Sequence, residues 1–227
     1  MNTHAARELL TLKSLMALDT TPYHDIPFKL RSSGRPRFHA MMNALAHCMS
    51  PDELYLEVGT YQGGSMIGTL LGNQARAFAV EDFREFYGDP AIDNTRATLE
   101  KNLHAFGVFD RVTLYEMDFH EFFELRALDI LSMKVGLYYY DAQHAETDTY
   151  EGLMAGFPFV VPGGFIVLDD INWNMVARGI NLFLAVNFQE VKTIFATTAS
   201  DSGKNSLDAD WWNGTMVIEK ILGRDIE

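Results

Sequence analysis

The chain has 227 residues, 48% of them hydrophobic and 22% charged, which excludes a disordered polypeptide and suits one domain with a full core. Acidic residues number 31 against 18 basic ones, for a net charge of −13. With no Lys/Arg-rich run, this balance argues against a nucleic-acid partner, since a phosphate backbone calls for basic patches. Cys48 is the only cysteine, so neither an internal disulfide nor a cysteine zinc cluster can form, as expected in a reducing, cytoplasmic setting. Met1 to Leu18 has scattered charges and no signal-peptide core. The longest apolar stretch, Gly156 to Leu168, is broken by Pro158, Pro162, Gly163 and Gly164, so no membrane span is expected.

Residues 4–18 and 36–49 are predicted helices, joined by a connection from Thr20 to Gly34 that contains Pro, Gly and Ser. Residues 1–50 are thus expected to form an N-terminal helical cap over the sheet or its cleft. Leu54 to Val58 is an apolar run of strand type that ends at Gly59, and Ser65 opens a helix over Met66 to Leu71. Ala77 to Val80 is a second strand, closed by Glu81. A loop over 82–90 leads to a polar helix from Ile92 to Phe106, stopped by Gly107. Val112 to Glu116 is a third strand and His120 to Leu128 a helix. Val135 to Tyr140 is apolar throughout, as a central parallel strand covered on both faces should be. A helix over Thr147–Phe157, a strand over Phe165–Leu168 and a helix over Val176–Asn187 follow. Val191–Thr197 and Gly214–Lys220 are the last strands, separated by a polar loop, Thr198 to Asn213, and so expected to be antiparallel neighbours. This alternation predicts an α/β fold: a Rossmann-like, doubly wound, seven-stranded sheet, mostly parallel with the last strand antiparallel.

A glycine turn after a first strand, with a carboxylate at the end of the second, is a way to hold a nucleoside. The glycines let backbone approach the ligand, and the carboxylate accepts from two ribose hydroxyls. Gly59 and Gly63 lie four apart and there is no Gly-x-Gly-x-x-Gly, so the spacing is not the dinucleotide one. The segment from Glu57 to Ser65 resembles motif I, Glu-x-Gly-x-x-x-Gly, of the class I S-adenosylmethionine (SAM) methyltransferases. Glu81 is similar to their second motif, and the resemblance covers about residues 52–220, within a domain of residues 51–227. It implies SAM binding by Glu57, Gly59, Tyr61, Gly63, Ser65, Glu81, Asp118, Phe119 and Asp141. Asp118 stands where the family reads adenine, and its residue type also suits a helix N-cap.

Pro162 to Asp170, Pro-Gly-Gly-Phe-Ile-Val-Leu-Asp-Asp, resembles the fifth-strand motif of the metal-dependent macrocin-type and catechol-type O-methyltransferases, in methyltransferase domain family 24. Asp141 ends the fourth strand, and Asp169 and Asp170 end the fifth, so all three are expected at one crevice. Three uncompensated carboxylates repel each other and call for Mg²⁺, Mn²⁺ or Ca²⁺, unless Asp169 and Asp170 merely cap the turn toward Asn172. The resemblance points to the same three ligands. His144, three residues beyond Asp141, is the candidate general base, with an unperturbed pKa near neutrality. Ala142 and Gln143 depart from the Asp-Gly-Asp of macrocin-like relatives, and the catechol-type lysine is missing. Asp141 and His144 are thus the expected catalytic pair. The expected reaction is methyl transfer to an oxygen of a small acceptor with adjacent hydroxyls, a sugar or a catechol. Phe83, Phe86, Tyr87, Trp173, Trp211 and Trp212 are candidates to stack on it. A homo-oligomer is compatible with all of this. The other readings are a hydroxylase-associated relative or a non-catalytic nucleoside-binding protein with the same fold.

Overall fold

The computed structural model describes residues 14, 16–30, 34–84, 95–125, 134–197 and 211–221. Most of the expected N-terminal helix, Phe86, Tyr87 and most of the loop over 198–213 lie outside these residues.

Seven strands form one sheet: β1 (Glu53–Val58), β2 (Arg76–Glu81), β3 (Val112–Glu116), β4 (Lys134–Tyr140), β5 (Val160–Asp169), β6 (Val191–Thr197) and β7 (Thr215–Lys220). Their order is β3-β2-β1-β4-β5-β7-β6. β7 runs antiparallel to both its neighbours, and every other pairing is parallel. Among the described residues the α-helices are α1 (Asp25–Lys29), α2 (Pro36–His47), α3 (Gly64–Leu70), α4 (Arg96–Ala105), α5 (Phe119–Leu125), α6 (Glu146–Gly156) and α7 (Asn174–Val186). None of the described helices is long and apolar enough to cross a membrane.

The central strands are covered on both faces. All six residues of β1 are buried, as are those of β4 from Val135 on. Because strand side chains alternate between faces, Tyr55 packs with Met41, Met42, Leu45 and Ile67 on one side of the sheet. Leu54 and Leu56 pack with Phe122, Ile166 and Phe183 on the other. The N-terminal segment is tied into the first of these layers. The Asn43 side-chain amide donates to the carbonyls of Gly68, Thr69 and Leu71 at 3.1, 3.0 and 2.7 Å, which caps the end of α3.

Two expectations need correction. The stretch from Thr20 to Gly34 is more than a connection: it holds a 3₁₀ turn, Thr21–Tyr23, and α1. A five-residue helix with Pro27 inside it leaves no periodic signal. β5 also begins earlier than its apolar run, at Val160. The β4–β5 register jumps from Val135–Val160 to Leu137–Phe165, so Val161–Gly164 arcs out of the ladder. That irregularity accommodates Pro162, which has no N–H to donate.

The strand order reverses between β1 and β4, and ligands of such sheets bind in the crevice outside the carboxyl ends of the strands at that point. Glycine is needed there. Gly59 has φ +89°, and a Cβ on it would lie 2.1 Å from the Asp141 carbonyl oxygen. The loops after β1 and β4 therefore touch backbone to backbone.

Candidate active site

The first half of the crevice is built by the loop after β1 and the ends of β2 and β3. Gly63, at φ +87°, turns the chain into α3. Tyr61, at φ +48°, directs its N–H to Glu81 Oε2 at 2.6 Å. The Phe83 N–H reaches Glu81 Oε1 at 3.1 Å. Both oxygens of Glu81 thus take backbone N–H groups from the loops after β1 and β2, which fixes the carboxylate at the crevice. Asp118 accepts from the His120 N–H at 2.9 Å, the His120 imidazole at 3.0 Å and Arg84 at 2.5 Å. Burial pushes its pKa up, but these donors outweigh it and hold the carboxyl below its ordinary value. Asp118 is thus the cap of α5, at the mouth of the same crevice. Phe119 is buried behind it, edge-on to Tyr140 at 5.5 Å.

Glu57 sits under the loop and is fully buried. Its oxygens accept from the hydroxyls of Tyr55 and Ser65, the latter at 2.6 Å. Burial pushes its pKa up to about 8, against the opposing pull of those two hydroxyls. Glu57 fixes Ser65 at the start of α3, with no face of its own open to solvent.

The second half of the crevice lies at the ends of β4 and β5. The Tyr139 hydroxyl, on a fully buried ring, stands 2.9 Å from Asp141 Oδ2 and 2.8 Å from Asp169 Oδ2. Asp169 also receives the Thr215 hydroxyl at 3.3 Å. Burial and the neighbouring Asp170 raise the Asp169 pKa well above the carboxylate range, and burial raises that of Asp141. Asp170 lies beyond the strand at φ +52°, with its Oδ1 held by the Asn213 amide at 2.8 Å. Its Oδ2 is 2.9 Å from His144 Nε2, and Asp141 Oδ1 is 3.4 Å from the same nitrogen. His144 Nε2 is buried, and it makes no well-aligned hydrogen bond to either carboxylate. Burial by itself would lower the His144 pKa, but the two carboxylates push it up to about 10. An imidazole so held keeps its proton in the ion-free protein, and a cation bound at Nε2 would have to displace it.

Ligand atoms of Asp141, His144 and Asp170 lie within 4.8 Å of one another. Asp141 and Asp170 were expected together, but the third member of the cluster is His144 and not Asp169. Which of Asp169 and Asp170 meets His144 is decided by the turn at Asp170, φ +52°, which no strand pattern announces. Tyr139 was overlooked, although it shares the face of Asp141 two residues on.

The aromatic residues divide. Trp173 packs edge-on to His144 at 4.9 Å and belongs to the site. Trp211 is buried against Phe195 at 5.2 Å and is core. Trp212 lies over the Arg35 guanidinium at 4.9 Å. His39, in α2, is a packing residue: it is fully buried, and burial pushes its pKa down to about 3.

A doubly wound sheet with a glycine turn, a carboxylate ending β2 and a ligand crevice at the β1/β4 switch defines an α/β nucleoside-binding protein. The family described as "Methyltransferase domain" matches residues 56–171, about half the chain. The chain belongs to that family and is a SAM-dependent methyltransferase. No curated protein matches it. Among solved structures it is similar to the O-methyltransferase TomG from Streptomyces achromogenes, involved in tomaymycin synthesis and solved with SAM. The identity is 13%, with 98% of this chain and 100% of that one covered and a TM-score of 0.62. An O-methyltransferase from Bacillus cereus with bound S-adenosylhomocysteine (SAH) is also similar, at 13% identity, 96% and 90% coverage and TM-score 0.57. So is an rRNA methylase from Streptococcus thermophilus, at 11% identity, 81% and 96% coverage and TM-score 0.55. At such identities the likeness is one of fold and leaves the acceptor open.

Proposed function

We propose that the protein transfers a methyl group from SAM to an oxygen of a small acceptor with adjacent hydroxyls, and that Asp141, His144 and Asp170 hold a divalent ion beside that acceptor. The observation that carries this reading is the buried His144 Nε2, set between two carboxylates without a hydrogen bond. Two carboxylate oxygens suit Mg²⁺ or Mn²⁺, and the imidazole nitrogen favours the transition metal Mn²⁺, with open positions for water or substrate oxygens. When bound, SAM supplies the methyl group on a sulfonium, and the ion supplies Lewis acidity that lowers the pKa of acceptor hydroxyls.

The rest is positioning. Glu81 and the loop from Gly59 to Ser65 fix the nucleoside, and the Tyr139 hydroxyl fixes Asp141. The Asn213 amide fixes Asp170, and Trp173 closes one side of His144. Displacement from a sulfonium gains most from such alignment, because the electrophile is already activated. The TomG and Bacillus cereus likenesses favour an oxygen acceptor, and the net charge of −13 favours a small molecule over a nucleic acid.

Mn²⁺ binding tests the ion without knowledge of the acceptor. One Mn²⁺ per chain, read by electron paramagnetic resonance, should bind the wild type. Asp170→Asn should weaken it by at least the roughly 10–100-fold that loss of an outer-sphere partner produces. Chelation should abolish SAH production from catechol and sugar-diol panels, and Mg²⁺ or Mn²⁺ should restore it. Turnover untouched by chelation, with equal Mn²⁺ binding by the variant, would remove the ion from the function.

A further inference from the structure

Arg35 precedes α2 and is only 3% exposed. Its Nε and Nη2 atoms are buried without a hydrogen-bond partner. The contact it does make is with the face of Trp212, at 4.9 Å. The first turn of α2 has no acidic residue, and Arg35 occupies the N-cap position without capping through its side chain. A cation at the positive end of a helix is electrostatically unfavourable, and burying a charge without a partner is strongly so. Two costs at one residue, offset among the described residues only by the face of Trp212, point to a partner that arrives with a ligand.

The place of Arg35 says which ligand. One helical turn on, His39 packs against Gly68 of α3, the helix that the loop from Gly59 to Ser65 leads into. Phe38, between them, packs on Tyr139 at 5.5 Å, and the Tyr139 hydroxyl reaches Asp141 and Asp169. Trp212 adjoins Asn213, whose amide holds Asp170. Arg35 is thereby flanked by the elements that line both halves of the crevice. Its unpartnered atoms form the edge of a guanidinium that grips a carboxylate through two parallel hydrogen bonds.

We propose that Arg35 is the receptor for a carboxylate borne by a ligand in this crevice. Two ligands can bring one. SAM and SAH carry a carboxylate on the amino-acid end, and an acceptor with adjacent hydroxyls can carry one as well; the latter case rests on the function proposed above.

Calorimetry on the full chain separates the sources by pairs of probes. SAH is compared with 5′-methylthioadenosine, which keeps the nucleoside and sulfur but lacks the carboxylate. 3,4-Dihydroxybenzoate is compared with catechol. If the carboxylate is the cofactor's, Arg35→Met weakens SAH roughly tenfold or more and leaves 5′-methylthioadenosine unchanged. If it is the acceptor's, both nucleosides bind as before and 3,4-dihydroxybenzoate loses affinity relative to catechol. Arg35→Lys, which keeps the charge but not the paired edge, should recover only part of the loss. The ligand-free Arg35→Met protein should melt no lower than the wild type, since it loses no formed hydrogen bond. The proposal is overturned if Arg35→Met leaves both pairs unaffected, if it weakens charged and uncharged probes alike, or if it lowers the melting temperature of the ligand-free protein. The first pair requires no divalent ion, so failure of the metal reading and failure of this one are distinguishable.

Discussion

The two halves of the crevice treat their carboxylates in opposite ways. At the ends of β2 and β3, Glu81 and Asp118 accept from backbone N–H groups, and Asp118 has Arg84 as well. At the ends of β4 and β5, Asp141 and Asp169 share a single hydroxyl, Tyr139, while Asp141 and Asp170 share one imidazole. One hydroxyl proton cannot serve two carboxylates at once. The first half is a finished cradle whose donors come from the fold itself. The second half is short of positive charge in the protein alone, which is what the ion proposed above would supply. The same sheet thus carries one pair of carboxylates supplied with donors by the fold and one set that must share them.

The seam between the halves is the contact of Gly59 with the Asp141 backbone, and breaking it should give the largest effect. Gly59→Ala places a Cβ into the Asp141 carbonyl and forces an L-residue to φ +89°. Left-handed backbone and overpacking together should destabilise the protein by about 2–5 kcal/mol. Urea unfolding measures this. A change under about 1 kcal/mol would show that the two loops are free to separate.

How far this contrast could be read beforehand differs between its sides. Val112–Glu116 and Val191–Thr197 match their observed strands residue for residue, and Gly59, Gly63 and Glu81 lie where the turn was expected. Those features are local, because a strand pattern, a turn glycine and a strand-ending acid are each fixed by near neighbours. The sharing of protons among Tyr139, Asp141, His144, Asp169 and Asp170 is not local. It depends on a register jump in β5, on Asp170 adopting φ +52°, and on Asn213 arriving from before β7. Arg35 carried a local hint all the same, since a basic residue just before a helix-opening proline contradicts the dipole preference.

Glu57 is the exception inside the finished half, and pH sharpens the comparison there. Its folded pKa of about 8 lies above the ordinary 4.5. Between those values the folded state binds the extra proton, so the stability it contributes is full below about pH 4.5 and is lost as pH rises through about 8. The slope is at most about 1.4 kcal/mol per pH unit in that window. Glu57→Gln should remove this slope, and the difference between variant and wild type in denaturant midpoints from pH 5 to 9 isolates it. Parallel curves would mean that Glu57 is ionised at neutral pH, and that its two hydroxyl partners suffice.

Asp169 sets the smallest expected effect and the finest division within the second half. It ends β5, while Asp170 has already turned away from the sheet. Its partners are the hydroxyls of Tyr139 and Thr215, not His144. Asparagine is nearly isosteric. Its Oδ1 can accept from Tyr139, and its Nδ2 can donate to the Thr215 oxygen, whose proton, within reach of both Asp169 and the Leu168 carbonyl at 3.1 Å, then goes to Leu168. Asp169→Asn therefore leaves every hydrogen bond satisfiable and removes a carboxyl that burial already keeps from ionising. Turnover should stay within about tenfold of the wild type, a penalty of about 1.4 kcal/mol, and Mn²⁺ affinity should change little. Asp170→Asn, one residue away, should lose the ion. If the two variants lose Mn²⁺ equally, the ion is held by the three aspartates that the sequence suggested, and His144 is released for another role.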